Sequence, residues 1–431
     1  MKKLKFLLSA ALLLATWQVQ AGVKIAHWVA PSGAKVYFVE SHDLPMIDVQ
    51  IDFPAGSAFD PSGKSGVASL TQGMLDSGAG ELDEEQLAER IDDLGARLSG
   101  SVDSDRAGLA LRTLSSLKER EAALSLMQTI VTSPSYAESA LVREKARSIA
   151  ALQEAETRPD SIAGKRFAAA IYPGHPYGVS PDASSVSAIT RDDLLAFHRT
   201  HYVANRAVVS IIGDLSRSEA ESIAQRLTAG LPRAGASTEL PAVTLPQGGT
   251  VRIAHPAAQS HIYIGMPGIR RGDPDYFPLL VGNYTLGGGG FVSRLMNEVR
   301  EKRGYAYGVQ SYFMPRKLEG PFQIGLQTKR EQAGDALKVV NQVLGDFLKT
   351  GPTPAELKAA KQNLVDGLAL RLDSNAELLG YLSLIGFYGL PLDYLDNFQA
   401  RVSAVTVQQI RDAFSRHVKP ENLVTVIVAS D

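Results

Sequence analysis

Residues 282–309 read GNYTLGGGGFVSRLMNEVREKRGYAYGV, and this stretch decides the fold of the chain. Four consecutive glycines, Gly287, Gly288, Gly289 and Gly290, precede a segment that predicts a helix carrying Arg300. Gly304 predicts a turn after that helix, because glycine tolerates positive φ, and Tyr307 follows seven residues after Arg300. The rigid cationic fork of arginine and the hydroxyl donor of tyrosine suit the stabilisation of an oxyanion that develops on a peptide carbonyl.

Other interpretations of this stretch stay open at the level of residue chemistry. Arg303 offers the same guanidinium as Arg300, and the charged residues around both are also typical of a solvated helix face. The glycine run lacks the G-x-G-x-x-G spacing and the downstream acidic residue of a dinucleotide site. The glycines either permit a tight turn into the helix or allow the backbone of a bound peptide to come close.

The second half of the chain repeats the first at a constant offset. Each copy runs from a short Ser-Ala-(Ile/Val)-Thr motif, through a predicted helix that ends in histidine, into an apolar strand. The matching segments are 187–190 with 403–406, His201 with His417, and 207–213 with 423–429. A repeat of this length predicts two similar domains and not a solenoid of short units.

Residues 229–249, AGLPRAGASTELPAVTLPQGG, separate the two copies and are typical of a linker, since they are rich in Pro, Gly and Ala. We therefore predict an N-terminal half at 22–228 and a C-terminal half at 250–431. Strands and helices alternate within each half, which predicts an α+β fold with a sheet and helices packed against one face. The predicted strands are 35–40, 47–53, 106–114 and 261–266, and the predicted helices are 84–96, 137–155 and 355–372.

Residues 1–21 have the parts of a secretory signal peptide: three lysines, an apolar run and a small-residue cleavage site ending at Ala21. Removal of the three lysines changes the net charge from −2 to −5. This mild acidity, with no basic stripe, argues against nucleic acid, and no later segment is long and apolar enough to predict a membrane span. The chain has no cysteine, which excludes disulfides and thiolate sites. We expect export to a bacterial periplasm.

The segment GVASLTQGM at 66–74 resembles the zinc helix of the pitrilysin/insulinase family of peptidases, which includes the mitochondrial processing peptidases. That helix normally reads Gly-Leu-Ala-His-x-x-Glu-His-Met. Ser69 and Gly73 stand at the two histidine positions, and Gln72 stands at the general-base glutamate. The third ligand of the family, a glutamate on a later helix, falls on Ala150 in this register. None of the four side chains can do the required chemistry, so we predict no metal and no cofactor in this chain.

Other segments carry the same resemblance. They are YPGHPYG at 172–178, FHRTHYVANRAVVSIIGD at 197–214, and the opening stretch with Arg300 and Tyr307. The resemblance implies two homologous halves, each a mostly antiparallel sheet with helices on one face, in a clamshell arrangement. It also implies that Arg300 and Tyr307 act on substrate, and that the loop at Gly287–Gly290 contacts substrate. The resemblance further implies a heterodimer with a homologous catalytic subunit. That subunit would hold the zinc, and the two chains would close around a peptide or unfolded polypeptide.

Three histidines and one loop offer alternatives. His198 and His201 are spaced as metal ligands could be, but no third ligand accompanies them, and a solvated helix end is the preferred interpretation. His175 is interpreted as structural, packed in a turn. The segment AFDPSGKS at 58–65 loosely matches a phosphate loop. Within it, Pro61 lacks an amide donor and Asp60 would repel phosphate.

Two functions from different classes follow. The first is a non-catalytic subunit of a heterodimeric zinc peptidase, which supplies Arg300 and Tyr307 in trans to the zinc of its partner. The second is a stand-alone peptide-binding or scaffold protein that has no proteolytic partner. A third possibility, a metallopeptidase that uses His198 and His201, requires stoichiometric metal.

Overall fold

The computed structural model describes residues 23–233, 235 and 239–430. The predicted signal peptide lies outside the described residues. Within them the chain forms two mixed sheets covered by helices, and the predicted α+β architecture of two homologous halves is confirmed.

The first half forms a six-stranded sheet with the order β1-β2-β6-β3-β5-β4. Only β2 and β6 pair in parallel, and every other pairing in this sheet is antiparallel. Its strands are β1 (Ala26–Val29), β2 (Lys35–Glu40), β3 (Met46–Phe53), β4 (Arg97–Val102), β5 (Ala107–Leu114) and β6 (Val208–Gly213). Its helices are α1 (Val67–Gly73), α2 (Glu84–Asp93), α3 (Leu117–Thr132), α4 (Glu138–Ala155), α5 (Pro159–Ile171), α6 (Ala183–Ser187), α7 (Arg191–His201) and α8 (Arg217–Ala229).

The second half repeats this plan with five strands in the order β7-β11-β8-β10-β9. The parallel pair is now β7 and β11, and the remaining pairs are antiparallel. Its strands are β7 (Gly249–Ala254), β8 (Gln259–Ile269), β9 (Ala306–Phe313), β10 (Gly320–Lys329) and β11 (Val424–Ala429). Its helices are α9 (Tyr276–Asn283), the Arg300 helix (Met296–Glu301), α10 (Ala333–Thr350), α11 (Pro354–Ala369), α12 (Asn375–Tyr388), α13 (Phe398–Ala404) and α14 (Val407–His417).

The offset of the sequence repeat also aligns secondary structure in the two halves. Helix α7 corresponds to α14 at both its first and its last residue, and strand β6 corresponds to β11 in the same way. Even a single interaction recurs: Lys145 Nζ donates to the carbonyl of Ser187 at 2.6 Å, and Lys361 Nζ donates to that of Ser403 at 2.6 Å. The repeat in the sequence is therefore a repeat of tertiary structure.

Each half places one helix on the sheet of the other half, a feature that the sequence did not predict. Helix α5 packs on β8 and β11, while its counterpart α12 packs on β2, β3 and β6. The approach is close, because a Cβ on Gly265 would lie 2.9 Å from Phe167 Cζ, and one on Gly386 would lie 2.6 Å from Val208 Cγ1. Each sheet is therefore covered on one face by helices of its own half. The exchanged helix from the other half packs on the opposite face.

Helix α8 ends at Ala229 and strand β7 begins at Gly249, at the two ends of the predicted linker. Within the part of the chain that the structure describes, no helix combines the length and the apolar composition needed to cross a membrane.

Candidate functional site

The segment with Arg300 is held by close backbone approaches. A Cβ on Gly287 would lie 2.5 Å from Ser311 Oγ on β9, so only glycine lets the loop pack against that strand. After the Arg300 helix the chain turns at Gly304, which has φ 61°. The Gly304 N–H donates to the Arg300 carbonyl at 2.8 Å and closes the helix. The chain then enters strand β9 one residue before Tyr307.

Arg300 and Tyr307 lie in contact. The Arg300 guanidinium carbon is 4.8 Å from the centre of the Tyr307 ring and 4.7 Å from that of Phe291, so two aromatic rings hold it. Arg300 Nε also lies 3.5 Å from the carboxylate of the adjacent Glu301. Arg303 has a different role, since its Nη1 donates to the Glu298 carboxylate and to the Glu298 carbonyl, both at 2.7 Å. The Arg300 side chain is thus 28% exposed, between two aromatic rings and the Glu301 carboxylate.

A β-bulge turns Tyr307 outward. Val309 pairs with Leu326 and Ala306 pairs with Thr328, so β9 carries one more residue than β10 over this interval. Bulges bend a strand, re-aim side chains and are frequent near active sites. The Tyr307 side chain is 86% exposed. Strand β9 is the edge strand of its sheet, and the segment before it covers part of its outer edge. The Val309 N–H donates to Met296 Sδ at 3.4 Å, and the Ser311 carbonyl accepts from Asn283 Nδ2 at 2.9 Å.

A cavity of about 730 Å³ lies beside this strand, between the two halves. Gly287, Gly288 and Gly290 form part of its wall. The loop between β4 and β5, at 103–106, contributes from the first half, and Tyr388 contributes from the exchanged helix α12. Three of the four predicted glycines thus line a pocket of the size that binds small ligands, about 300–1,000 Å³.

The positions of the zinc helix lie where the resemblance predicted, on helix α1. Ser69 and Gly73 are exposed on α1, and Ala150 is exposed on α4. Gln72 packs against edge strand β4, since a Cβ on Gly100 would overlap Gln72 Nε2. These positions offer the hydroxyl of Ser69, the amide of Gln72, no side chain at Gly73 and the methyl group of Ala150. They do not fit a zinc site that requires imidazole and carboxylate ligands.

One cluster among the described residues groups three potential metal ligands: Asp273, Asp275 and His417. Protein groups already occupy it. Arg416 donates to both oxygens of Asp275, at 2.7 and 2.8 Å, and His417 Nδ1 donates to the Gly268 carbonyl at 2.8 Å. The cluster joins helix α14 to the loop after β8 as an ion-paired contact.

The interpretation of His198 and His201 as a solvated helix end was wrong, because both side chains are buried. His198 Nε2 donates to the Val131 carbonyl at 2.9 Å, and its ring stacks on Tyr202 at 4.7 Å. His201 Nδ1 donates to the Pro54 carbonyl at 3.2 Å. Burial lowers the pKa of His198 to about 4 and also lowers that of His201. Each ring thus joins its helix to a neighbouring carbonyl, which gives both a structural role.

His175 has the structural role that the sequence indicated, and Asp60 caps a helix. His175 is 3% exposed, and its Nε2 donates to the Pro241 carbonyl at 2.9 Å. The Asp60 carboxylate accepts the N–H groups of Gly66 and Ala68, each at 2.7 Å. This carboxylate occupies the N-terminal end of α1, where a phosphate would have to bind. The segment 58–65 is therefore a helix cap and not a phosphate loop.

The sequence did not reveal the charged groups around the cavity. Asp105 is 2% exposed and accepts from the hydroxyls of Tyr177 and Tyr388 and from the Lys317 N–H. Within this hydrogen-bonded network, only Tyr177 lies in a segment that carries the family resemblance, the turn at 172–178. The other groups come from separate regions of the chain, so no local spacing connects them.

The geometry defines a class: a two-half protein with the fold of a processing peptidase and no metal ligands at the peptidase position on α1 and α4. Profile comparisons agree. Residues 35–180 match the model described as insulinase (peptidase family M16), and residues 188–364 match the one described as the peptidase M16 inactive domain. The chain belongs to the M16 insulinase family, as an inactive member.

Individual relatives support this assignment. A crystal structure of a peptidase M16 inactive domain from Pseudomonas fluorescens superimposes with a TM-score of 0.91 at 38% identity, covering 95% of this chain and 98% of that one. A non-peptidase homologue from Helicobacter pylori is 26% identical over 92% of this chain and 91% of its own length. An uncharacterized zinc protease from Mycobacterium leprae is also 26% identical, over 88% of this chain and 86% of that one.

Proposed function

We propose that this chain is the non-catalytic subunit of an exported, heterodimeric zinc peptidase. It would bind an extended peptide and supply Arg300 and Tyr307 to the zinc site of a homologous catalytic subunit. The observation that carries the proposal is the contact of Arg300 with the exposed Tyr307, in a chain whose own metal positions lack ligands.

The roles divide between the two chains. The partner would provide the metal and the general base, because neither Ser69, Gln72 nor Gly73 can replace them. This chain would provide a cation and a hydroxyl donor for the developing oxyanion. Backbone pairing of the peptide with a sheet edge would give affinity with little sequence preference. The loop at Gly287–Gly290 would face the substrate, since three of its glycines line the adjoining cavity.

The test begins with a search of the neighbouring genes for an exported homologue that carries an intact His-x-x-Glu-His motif, followed by reconstitution of the two chains. Peptide cleavage is measured for each chain and for the mixture, and we expect activity from the mixture. Arg300→Ala should lower kcat of the pair at least tenfold, since loss of one oxyanion donor typically costs about 2.7–4 kcal/mol. Arg303→Ala is the matched control, because Arg303 lies three residues away and is bound to Glu298; it should leave kcat nearly unchanged.

Unchanged activity in the Arg300→Ala pair would remove the proposed role of Arg300. Failure to co-purify with any homologue, together with peptide binding by this chain alone, would favour the stand-alone peptide-binding protein. Export to the periplasm is part of the same proposal and rests on residues 1–21. N-terminal sequencing of the protein from a periplasmic extract should begin at Gly22.

A further inference from the structure

The cavity between the halves contains acidic groups that are already hydrogen-bonded within the protein. Asp105 accepts hydrogen bonds from two tyrosine hydroxyls and one backbone N–H. Asp103 accepts from Arg106 Nε at 3.3 Å and from the backbone N–H groups of Asp105 and Arg106, at 2.7 and 2.9 Å. Arg106 also donates to Ser383 Oγ at 2.5 Å. Most hydrogen-bonding groups of these three charged side chains are therefore already occupied within the protein.

Two other arginines in the cavity wall, Arg271 and Arg316, have no such partners. The Arg271 guanidinium lies 5.6 Å from the centre of the Tyr388 ring, and that of Arg316 lies 4.7 Å from the centre of the Tyr177 ring. Arg271 Nε and Arg316 Nη1 are both buried without a hydrogen-bond partner. Neither guanidinium forms an ion pair with any of the described residues, in contrast to that of Arg106 in the same wall.

The backbone brings the two unpaired arginines together. The Arg271 N–H donates to the Arg316 carbonyl at 2.7 Å, and residues Arg270 and Arg316 form an isolated β-bridge. Two cations on adjacent segments repel each other, and buried donors without partners are costly. An anion bound in the cavity would reduce the repulsion between the two guanidinium groups, and arginine forks match the planar carboxylate geometry.

The cavity also connects with the strand that carries Tyr307. Gln310 and Tyr312 line the cavity and also line the shallow groove beside Tyr307. Tyr307 and Tyr312 are five residues apart on one strand, which corresponds to about 17 Å. An extended peptide in this groove could therefore contact Tyr307 and place a residue about five positions away in the cavity.

We propose that Arg271 and Arg316 bind a carboxylate of the peptide substrate in this cavity. The inference deepens the proposed function, since it takes the ligand to be the peptide that lies along β9. The carboxylate comes either from the C-terminus of the peptide or from an Asp or Glu side chain. The aromatic wall, with Tyr276, Phe313 and Tyr388, favours apolar atoms next to that carboxylate.

The test measures binding to this chain alone, by fluorescence anisotropy of labelled decapeptide pools. One pool ends in a free carboxylate, a second ends in an amide, and both are made with and without Asp and Glu. We expect the amide pool without acidic residues to bind at least tenfold more weakly than a pool with a carboxylate. A preference that depends on the terminus identifies the C-terminal carboxylate, and one that depends on Asp and Glu identifies the side chain.

Arg271→Gln and Arg316→Gln should each remove that preference, whereas Arg270→Gln should keep it. Arg270 is the matched control because it is the exposed neighbour of Arg271. Equal binding of all four pools to the wild-type chain would overturn the proposal, and this comparison decides the matter even if a variant fails to fold. An equal loss in Arg270→Gln would also overturn it, since general surface charge would then explain the preference.

The outcome is separable from that of the proposed function. No zinc subunit is present in the binding assay, and no cleavage is measured. Loss of activity in the Arg300→Ala pair without any carboxylate preference would overturn this inference alone. A carboxylate preference in a chain that never associates with a peptidase would keep this inference and overturn the subunit role.

Discussion

Acid should destabilise this protein through His198, and the size of the effect follows from its burial. The folded state holds a neutral imidazole with a pKa of about 4, against an ordinary value of 6.5. The unfolded chain therefore binds a proton as pH falls below 6.5, while the folded chain does not until pH approaches 4. The stability contributed by the neutral ring is fully present above pH 6.5 and is lost as pH falls. At pH 5 the loss is about 2 kcal/mol, since each pKa unit corresponds to about 1.36 kcal/mol.

The assay is urea unfolding at pH 7.5 and pH 5.0 for the wild-type chain and His198→Gln. Glutamine does not titrate, and its amide can still donate to the Val131 carbonyl. Between pH 7.5 and pH 5.0, the free energy of unfolding of the variant should fall by about 2 kcal/mol less than that of the wild type. His201 contributes in the same direction and is retained in both chains. His42→Gln is the control: hydrogen bonds to Asp214 and Glu40 raise the pKa of His42, so this substitution should not reduce the loss of stability between pH 7.5 and pH 5.0. An identical pH dependence in wild type and His198→Gln would refute the reasoning.

Two further predictions concern the exchanged helix and the lost metal site. Phe167→Ala should lower the free energy of unfolding by about 3–5 kcal/mol, because this 3% exposed ring from the first half packs on the sheet of the second. A urea midpoint equal to that of the wild type would contradict a stabilising contact between α5 and that sheet. Restoring the ligand set should restore zinc binding, because the helix frame is intact and a Cβ on Gly73 meets no atom within 4 Å. Metal analysis of this variant should find one zinc per chain. A variant without zinc would indicate that α1 and α4 do not lie at the distance that a zinc site requires. The substitutions are Ser69→His, Gln72→Glu, Gly73→His and Ala150→Glu.

The sequence alone determined the features that depend on local spacing. The recurrence of segment 187–213 at 403–429 predicted two homologous halves, and the β-branched residues of the first strands placed β2 at Lys35–Glu40 as found. The residues at 66–74 predicted the absence of ligands, because the type of a side chain alone decides whether it has an atom that can bind zinc. The family resemblance drew attention to Arg300 and Tyr307, and the structure adds that the two side chains contact each other.

Tertiary structure decided what depends on burial and on contacts between distant segments. His198 and His201 looked solvated because polar residues at a helix end usually are, but Val131 and Pro54 approach from remote parts of the chain. The outward turn of Tyr307 results from a bulge that only pairing with β10 creates. The exchange of α5 and α12 leaves no local pattern, since an apolar helix face does not specify which sheet it covers. The same holds for Arg271 and Arg316, whose lack of partners is a property of the cavity and not of any motif.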